Sequence, residues 1–312
     1  MMRHRYRGRC AAALPLLIVA ASCVPAGEAP ARPVASVDTP ARPTPARAAA
    51  VAPPAPLAPG DFILQGVAEQ GAAMLGQAPG GTQVLTLDGR SIALDRDGGF
   101  LIAFDRDAAS AARLVATLAD GRSIARDIAV APGAWRIERI NAPYRGSAAS
   151  DADFARRRPA ELALIAAARD MRVESDGWKQ RFRWPVNGRL SGVFGSQRVY
   201  QGQPGSYHSG TDIAVPAGTP FVAPADGVVT LAADAPFTLE GYLLIVDHGM
   251  GLSSAFLHCQ RLDVKVDDRV VQGQVLGTVG STGRATGPHM HWGLKWNDAR
   301  LDPAKLAAPM GR

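Results

Sequence analysis

The chain has 312 residues, and its 47% hydrophobic content suffices for two modest domains with buried cores, while 33 glycines and 24 prolines favour short strands and turns over long helices. A net charge of +6 and a pI near 9.6 suit a polyanionic partner, but no basic stretch is interleaved with aromatics, which argues against nucleic acid. Of the three cysteines, Cys10, Cys23 and Cys259, two lie near the N-terminus, which excludes an internal disulfide framework and a thiolate metal site.

Arg3, Arg5, Arg7 and Arg9 precede an apolar run from Cys10 to Ala21 that is too short to span a bilayer comfortably. This pattern predicts an export signal over residues 1–23. Ala20-Ala21-Ser22-Cys23 has the form of a lipobox, with Ala20 where Leu is usual, which makes Cys23 the candidate lipidation site and membrane attachment point. Ordinary cleaved secretion and an uncleaved anchor are the alternatives. Residues 24–60 are rich in Ala and Pro, cannot bury a core, and are expected to form a semi-extended tether.

Residues 61–141 read as a small β domain. Strand candidates are Phe62–Gln65, Gln83–Leu87, Ser91–Leu94, Phe100–Phe104, Arg113–Leu118 and Ser123–Val130. Asp88-Gly89, Asp97-Gly98 and Asp120-Gly121 punctuate them, and Asp-Gly between alternating strands is a hairpin signal because the turn needs positive φ. Short strands at this spacing predict an immunoglobulin-like sandwich. The segment contains no catalytic constellation and reads as a spacer, a binding module or a lid.

Residues 142–181 form a connector. A helix is expected over Pro159–Arg172, with Leu162, Ile165 and Ala166 on its apolar face and the basic run Arg156–Arg158 at a solvated entrance. Residues 182–306 carry Gly-centred turns between short apolar strands at Gly227–Leu231, Tyr242–Val246, Ser253–Leu257 and Val275–Gly280, an all-β pattern. All histidines except His4 lie in this last segment.

Three elements there hold chemistry: His208-x-x-x-Asp212, Phe256-Leu257-His258, and His289-Met290-His291-Trp292. In a strand, residues i and i+2 share a face, so His289 and His291 project together while Met290 and Trp292 turn to the core. Each motif alone is a weak signal. Together they offer four imidazoles and a carboxylate, more than the three protein ligands a catalytic zinc needs, with the surplus imidazoles free to handle protons.

In order and spacing these motifs resemble the lysostaphin/LytM-type zinc metallopeptidases. Phe194-Gly195-Ser196-Gln197-Arg198, Pro216-Ala217-Gly218-Thr219-Pro220, Asp247-His248-Gly249 and Gly273-Gln274-Val275-Leu276-Gly277 extend the likeness over about residues 184–305. The preceding β segment is similar, less specifically, to the N-terminal module of proteobacterial members. The resemblance implies an all-β fold: an antiparallel metallopeptidase domain behind a small immunoglobulin-like domain. It implies that His208, Asp212 and His291 bind one Zn2+ per chain and that His258 and His289 flank the reacting water as the catalytic pair. The implied reaction is hydrolysis of peptide cross-links in peptidoglycan, in the periplasm or cell envelope.

One departure is Phe256 where the family has Tyr, and another is Cys259 beside a catalytic candidate, expected to face the core. Arg198, Tyr200, Tyr207 and His248 are candidate substrate contacts; a salt-bridged loop role for Arg198 and a turn-bracing role for His248 are their plainer alternatives. A ligand-depleted relative that activates a cell-wall amidase is the competing function, and all five site positions are intact against it. A biotinyl- or lipoyl-type carrier is excluded because no lysine lies between Gln272 and Leu294.

Overall fold

The computed structural model describes residues 60–143 and 152–310; the expected export signal, Cys23, the expected tether up to Pro59 and part of the connector lie outside them. Among the described residues no helix is long and apolar enough to cross a membrane.

The first segment forms two antiparallel sheets. Strands β1 (Ile63–Gln65), β2 (Ala73–Gln77) and β5 (Gly99–Ala103) make one in the order β1-β2-β5. Strands β3 (Thr82–Leu87), β4 (Arg90–Ile92), β6 (Ala111–Leu118) and β7 (Ser123–Ala129) make the other in the order β4-β3-β6-β7. Phe100, Ile102, Leu85 and Leu114, all nearly fully buried, fill the shared core. A three-plus-four division of strands is the sandwich architecture expected from the spacing. The hairpin between β3 and β4 turns on Asp88 (φ 49°) and Gly89 (φ 78°), the left-handed pair a two-residue turn requires. Strand β2 was not legible from its residues: small Ala and Gly give little strand preference. Gly76 is needed there because a Cβ would stand 2.1 Å from the Phe100 ring.

Strand β8 (Ile137–Ile140) leaves the sandwich and pairs in parallel with β10 (Gln197–Tyr200), which in turn pairs with β11 (Gln203–Pro204). Between β8 and β10 come helix α1 (Ala152–Asp170) and strand β9 (Arg189–Gly192). The helix begins earlier than expected, with Pro159 in its interior rather than at its start. Its buried face also differs. Glu161 and Ala168 turn inward, whereas Leu162 is 48% exposed and Ala166 is exposed. Glu161 is drawn in by hydrogen bonds, accepting from the Thr238 N–H at 2.7 Å and from the Thr238 hydroxyl.

The remaining strands build one large sheet. They are β12 (Thr211–Ala214), β13 (Pro220–Val222), β14 (Gly227–Ala232), β15 (Tyr242–Asp247), β16 (Leu252–Leu262), β17 (Arg269–Val270), β18 (Val275–Val279), β19 (Met290–Trp296) and β20 (Ala299–Leu301), followed by a turn of helix, α2 (Pro303–Leu306). The main path runs β17-β14-β15-β16-β19-β12-β9, and all its pairings are antiparallel. Alternation along β19 buries Met290, Trp292, Leu294 and Trp296 and leaves the intervening residues half-buried on the opposite face. Trp292, Phe221 and Phe256 are fully buried, each stabilising the fold by about 2–3 kcal/mol through apolar area removed from water.

The described residues form one compact unit. Asp302 donates its backbone N–H to Gly71 O at 2.8 Å, and Lys305 bonds Gln70 O at 2.7 Å and Glu69 at 2.8 Å. Lys179 pairs with Asp95 at 2.9 Å. The sandwich is therefore seated on the large sheet by polar contacts made through both partners.

Candidate metal centre

Asp212 on β12 and His291 on β19 are direct antiparallel partners, so sheet register alone brings a carboxylate and an imidazole together. His208 arrives from the loop before β12, which its backbone fastens: His208 N–H donates to Ser196 O at 2.9 Å, and Gly195 N–H donates to His208 O at 2.9 Å. The three side chains converge. His208 Nε2 lies 3.1 Å from Asp212 Oδ1 and 3.1 Å from His291 Nδ1, and His291 Nδ1 lies 2.8 Å from Asp212 Oδ1. Among the described residues this trio is the group that could hold a metal ion.

The donor set fits a small, borderline-soft divalent cation. His208 Nδ1 sits 3.1 Å from Val193 O, and a carbonyl can only accept, so Nδ1 carries the proton and the Nε2 lone pair points at the carboxylate. A lone pair and a carboxylate at this range repel unless a cation or proton stands between them. Their separations approach the roughly 3.3 Å edge of a tetrahedron with bonds near 2.0–2.1 Å. Two glycines make room. A Cβ on Gly192 would lie 2.4 Å from Asp212 Oδ2, and one on Gly210 would lie 2.5 Å from His291 Nε2.

The electrostatics agree with a cation-receptive site. Burial works to raise the Asp212 carboxyl, but the neighbouring His208 and His291 prevail and hold it far below the usual carboxylate range. His208 is lowered by burial and raised more by Asp212, ending above the usual imidazole value. His291 ends below it because burial outweighs the same carboxylate.

The second pair stands beside this trio. The His258 and His289 rings are 4.9 Å apart, and His289 Nε2 lies 3.7 Å from Asp212 Oδ1. Each spends Nδ1 on a backbone carbonyl: His258 on Thr282 O and His289 on Gly287 O, both at 2.8 Å. Both therefore present Nε2 as the free nitrogen in the neutral state. Burial lowers His258 below the usual imidazole value, against the Thr282 carbonyl.

His258 reaches the site by an irregularity. Simple alternation would put it on the same face as Phe256, which is fully buried against Phe221 with ring centroids 5.2 Å apart. Instead the register with β15 slips between Tyr242 and Leu244, and His258 adopts φ 64°. This bulge re-aims the imidazole towards His289 and returns Cys259 to the core. Cys259 is fully buried, and burial pushes its thiol up to about 12, so it is inert packing as expected.

A groove of about 680 Å3 leads to His208 and is lined by Arg198, Tyr200, Tyr207, Arg136 and Glu138 among others. Arg198 Nε pairs with Glu138 at 3.0 Å across the β8–β10 contact, the salt-bridged alternative. The fourth substrate candidate is corrected. His248 has no exposed surface; Nδ1 meets Asp226 O and Nε2 meets Ser254 Oγ, each at 2.8 Å, and burial lowers it to about 4. It braces the turn before Gly249 from inside the core. What sequence reasoning missed is the support: the carbonyls of Val193, Thr282 and Gly287, and Arg106, whose 6% exposed side chain crosses from the sandwich to bond Gly195 O at 3.1 Å and Gln197 at 3.0 Å. Arg106 also lies over the Tyr207 ring, 4.7 Å from its centroid. No local motif marks such contacts.

The model of peptidase family M23 matches residues 206–303. The chain is 32% identical over 155 residues to peptidoglycan DD-endopeptidase ShyC of Vibrio cholerae, covering 50% of this chain and 32% of that protein. It is 34% identical over 131 residues to ShyA of the same species, also a peptidoglycan DD-endopeptidase, covering 41% and 30%. The chain thus spans about a third of the length of these curated relatives. A crystal structure of a putative peptidase M23 from Pseudomonas aeruginosa superposes with TM-score 0.55 at 30% identity, over 80% of this chain and 93% of that one.

Proposed function

We propose, since the chain belongs to peptidase family M23, that it is an exported metalloendopeptidase that hydrolyses peptide cross-links of bacterial peptidoglycan. The observation that carries the reading is the convergence of His208, Asp212 and His291 within hydrogen-bond distance of one another, beside two imidazoles whose Nε2 atoms are free. The named activities of ShyC and ShyA support the substrate.

His208, Asp212 and His291 would hold one Zn2+, which would acidify water and polarise the scissile carbonyl. The chain's own groups do the rest. His258 and His289 stand together beside the trio, each with Nδ1 against a backbone carbonyl. One takes a proton from the attacking water at Nε2, hydrogen-bonds the developing oxyanion through the N–H so formed, and then gives that proton to the leaving amine. The Thr282 and Gly287 carbonyls keep both rings in the tautomer that makes this possible. The groove lined by Arg198, Tyr200 and Tyr207 orients the peptide as it approaches His208. Export through residues 1–23 and lipidation at Cys23 would place the enzyme in the periplasm facing its polymer.

Digestion of purified peptidoglycan by the zinc-loaded full chain, with products identified by mass spectrometry, tests this. Uncross-linked muropeptides are expected from the native chain and none from His291→Ala. Intact polymer from both would overturn the peptidase reading in favour of a regulator that binds a cell-wall amidase.

A further inference from the structure

Apart from the groove at His208, α1 and the large sheet line a second cavity of about 500 Å3. Ser209 and His291 belong to its wall, so it opens directly beside the trio. Its charged lining is one-sided: Arg158, Arg169, Lys295 and Arg300 against one carboxylate, Glu240. That carboxylate is already used, since Arg158 grips it through two hydrogen bonds at 2.6 and 2.8 Å. The other three cations lack comparable partners. Arg169 bonds the Ser253 hydroxyl at 3.1 Å; Arg300 reaches the Tyr207 hydroxyl at 3.4 Å; and Lys295 stands 3.6 Å from Asp298, whose side chain is 90% exposed. Leu162 and Leu257 supply an apolar strip in the same cavity.

Three like charges converging on a half-buried space cost free energy unless an anion joins them. The cost is visible in Arg169 and Lys295. Burial, and then the neighbouring cations, lower both below their usual values. Arg300 and Lys295 would simply turn to solvent if solubility were their purpose, but Lys295 keeps a side chain only 26% exposed. A cluster of this kind beside a hydrolytic centre is built to receive an anionic group carried on the substrate.

We propose that Arg169, Lys295 and Arg300 form a subsite for a free carboxylate on the peptide strand that enters the α1 side of the centre, with Leu162 and Leu257 against its aliphatic portion. The subsite rests on the peptidase reading for the identity of its ligand. It would set specificity: a peptide in which that carboxylate is an amide would be held less firmly and cut less often. Because a charge-assisted contact in a partly buried site is worth roughly a factor of ten or more, the discrimination should be about tenfold.

The test uses a set of cross-linked stem peptides in which each free carboxylate is converted in turn to its amide. Binding to the zinc-loaded full chain is followed by calorimetry and hydrolysis by chromatography, for the native chain, Lys295→Met, Lys295→Glu and Arg300→Gln, each checked by thermal melting. One amide should bind and react about tenfold more weakly than the parent acid. That difference should vanish in Lys295→Met and Arg300→Gln and reverse in Lys295→Glu. Equal binding and equal hydrolysis of all forms would overturn the subsite and leave the peptidase reading standing. Cation-dependent binding of the acid without hydrolysis would support the subsite and overturn the peptidase reading. No binding of any form would overturn both.

Discussion

At the scale of single residues, the centre depends on side chains that are missing as much as on those present. Gly192 and Gly210 leave the space that Asp212 Oδ2 and His291 Nε2 occupy. In Gly192→Ala the new methyl would meet Asp212 Oδ2 at 2.4 Å and His208 Cε1 at 3.0 Å, so two ligands must shift. Displaced ligand geometry is expected to weaken metal binding by about 10–100-fold, comparable to loss of a supporting contact around the ligands. Zinc titration against a competing chelator measures this, with circular dichroism expected to show an unchanged fold. Unaltered affinity would mean that the trio tolerates movement the distances do not allow. His258 makes the complementary point: its φ of 64° is strained for a side chain with a Cβ, and that strain is located at the residue offered for proton transfer.

At the scale of elements, α1 is one wall of the second cavity beside the centre. Ala168 and Ile165 pack it on the sheet, and polar and ionic contacts add to that attachment. Arg158 grips Glu240, whose own backbone carbonyl accepts from His258 N–H at 2.8 Å, and Glu161 is buried against Thr238. Burial alone would raise the Glu161 carboxyl; the Thr238 hydroxyl and N–H, with Arg158, outweigh it and hold the value below normal. A depressed carboxylate contributes stability that is present above its unfolded value, near 4.3, and is lost as pH falls through the folded one. Thermal melting of native chain and Glu161→Gln between pH 7 and pH 3 should show a gap of several degrees at neutral pH that closes below about pH 4. A constant gap would place the loss in packing rather than charge.

At the scale of the whole molecule, the sandwich is joined to the centre through one buried cation. Arg106 holds Gly195 O and Gln197, the start of the loop that ends in His208, and stacks on Tyr207. Strand β8, with Arg136 just before it and Glu138 within it, adds a wall to the groove at His208. These contacts support a role for the sandwich in orienting the groove. Arg106→Met is expected to destabilise the chain by about 1–3 kcal/mol, because the Gly195 carbonyl is left buried without its donor. It should also weaken metal binding through the loosened His208 loop. Arg113→Ala, which removes an exposed ion pair with Asp127, should do neither. Calorimetric melting and zinc titration on both variants decide the matter; equal effects would reduce Arg106 to an ordinary stabilising contact.

The sequence by itself determined the all-β class and most strands, because strand alternation is local and periodic, and it singled out the five side chains that the fold brings together, His208, Asp212, His258, His289 and His291; their division into a trio and a pair is what the family resemblance implied. Alternation placed His289 and His291 on one face and Met290 and Trp292 in the core. Tertiary structure decided what depends on partners distant in the chain. Strand β2 forms between β1 and β5, with Phe100 against Gly76, and α1 buries Glu161 because Thr238 is there to bond it. His248 is interior because Asp226 and Ser254 satisfy both its nitrogens. His258 faces the centre only because a bulge against β15 breaks the alternation that would have buried it. Each is a hydrogen bond or packing contact between residues whose spacing in sequence carries no period, so only the folded chain could bring them together.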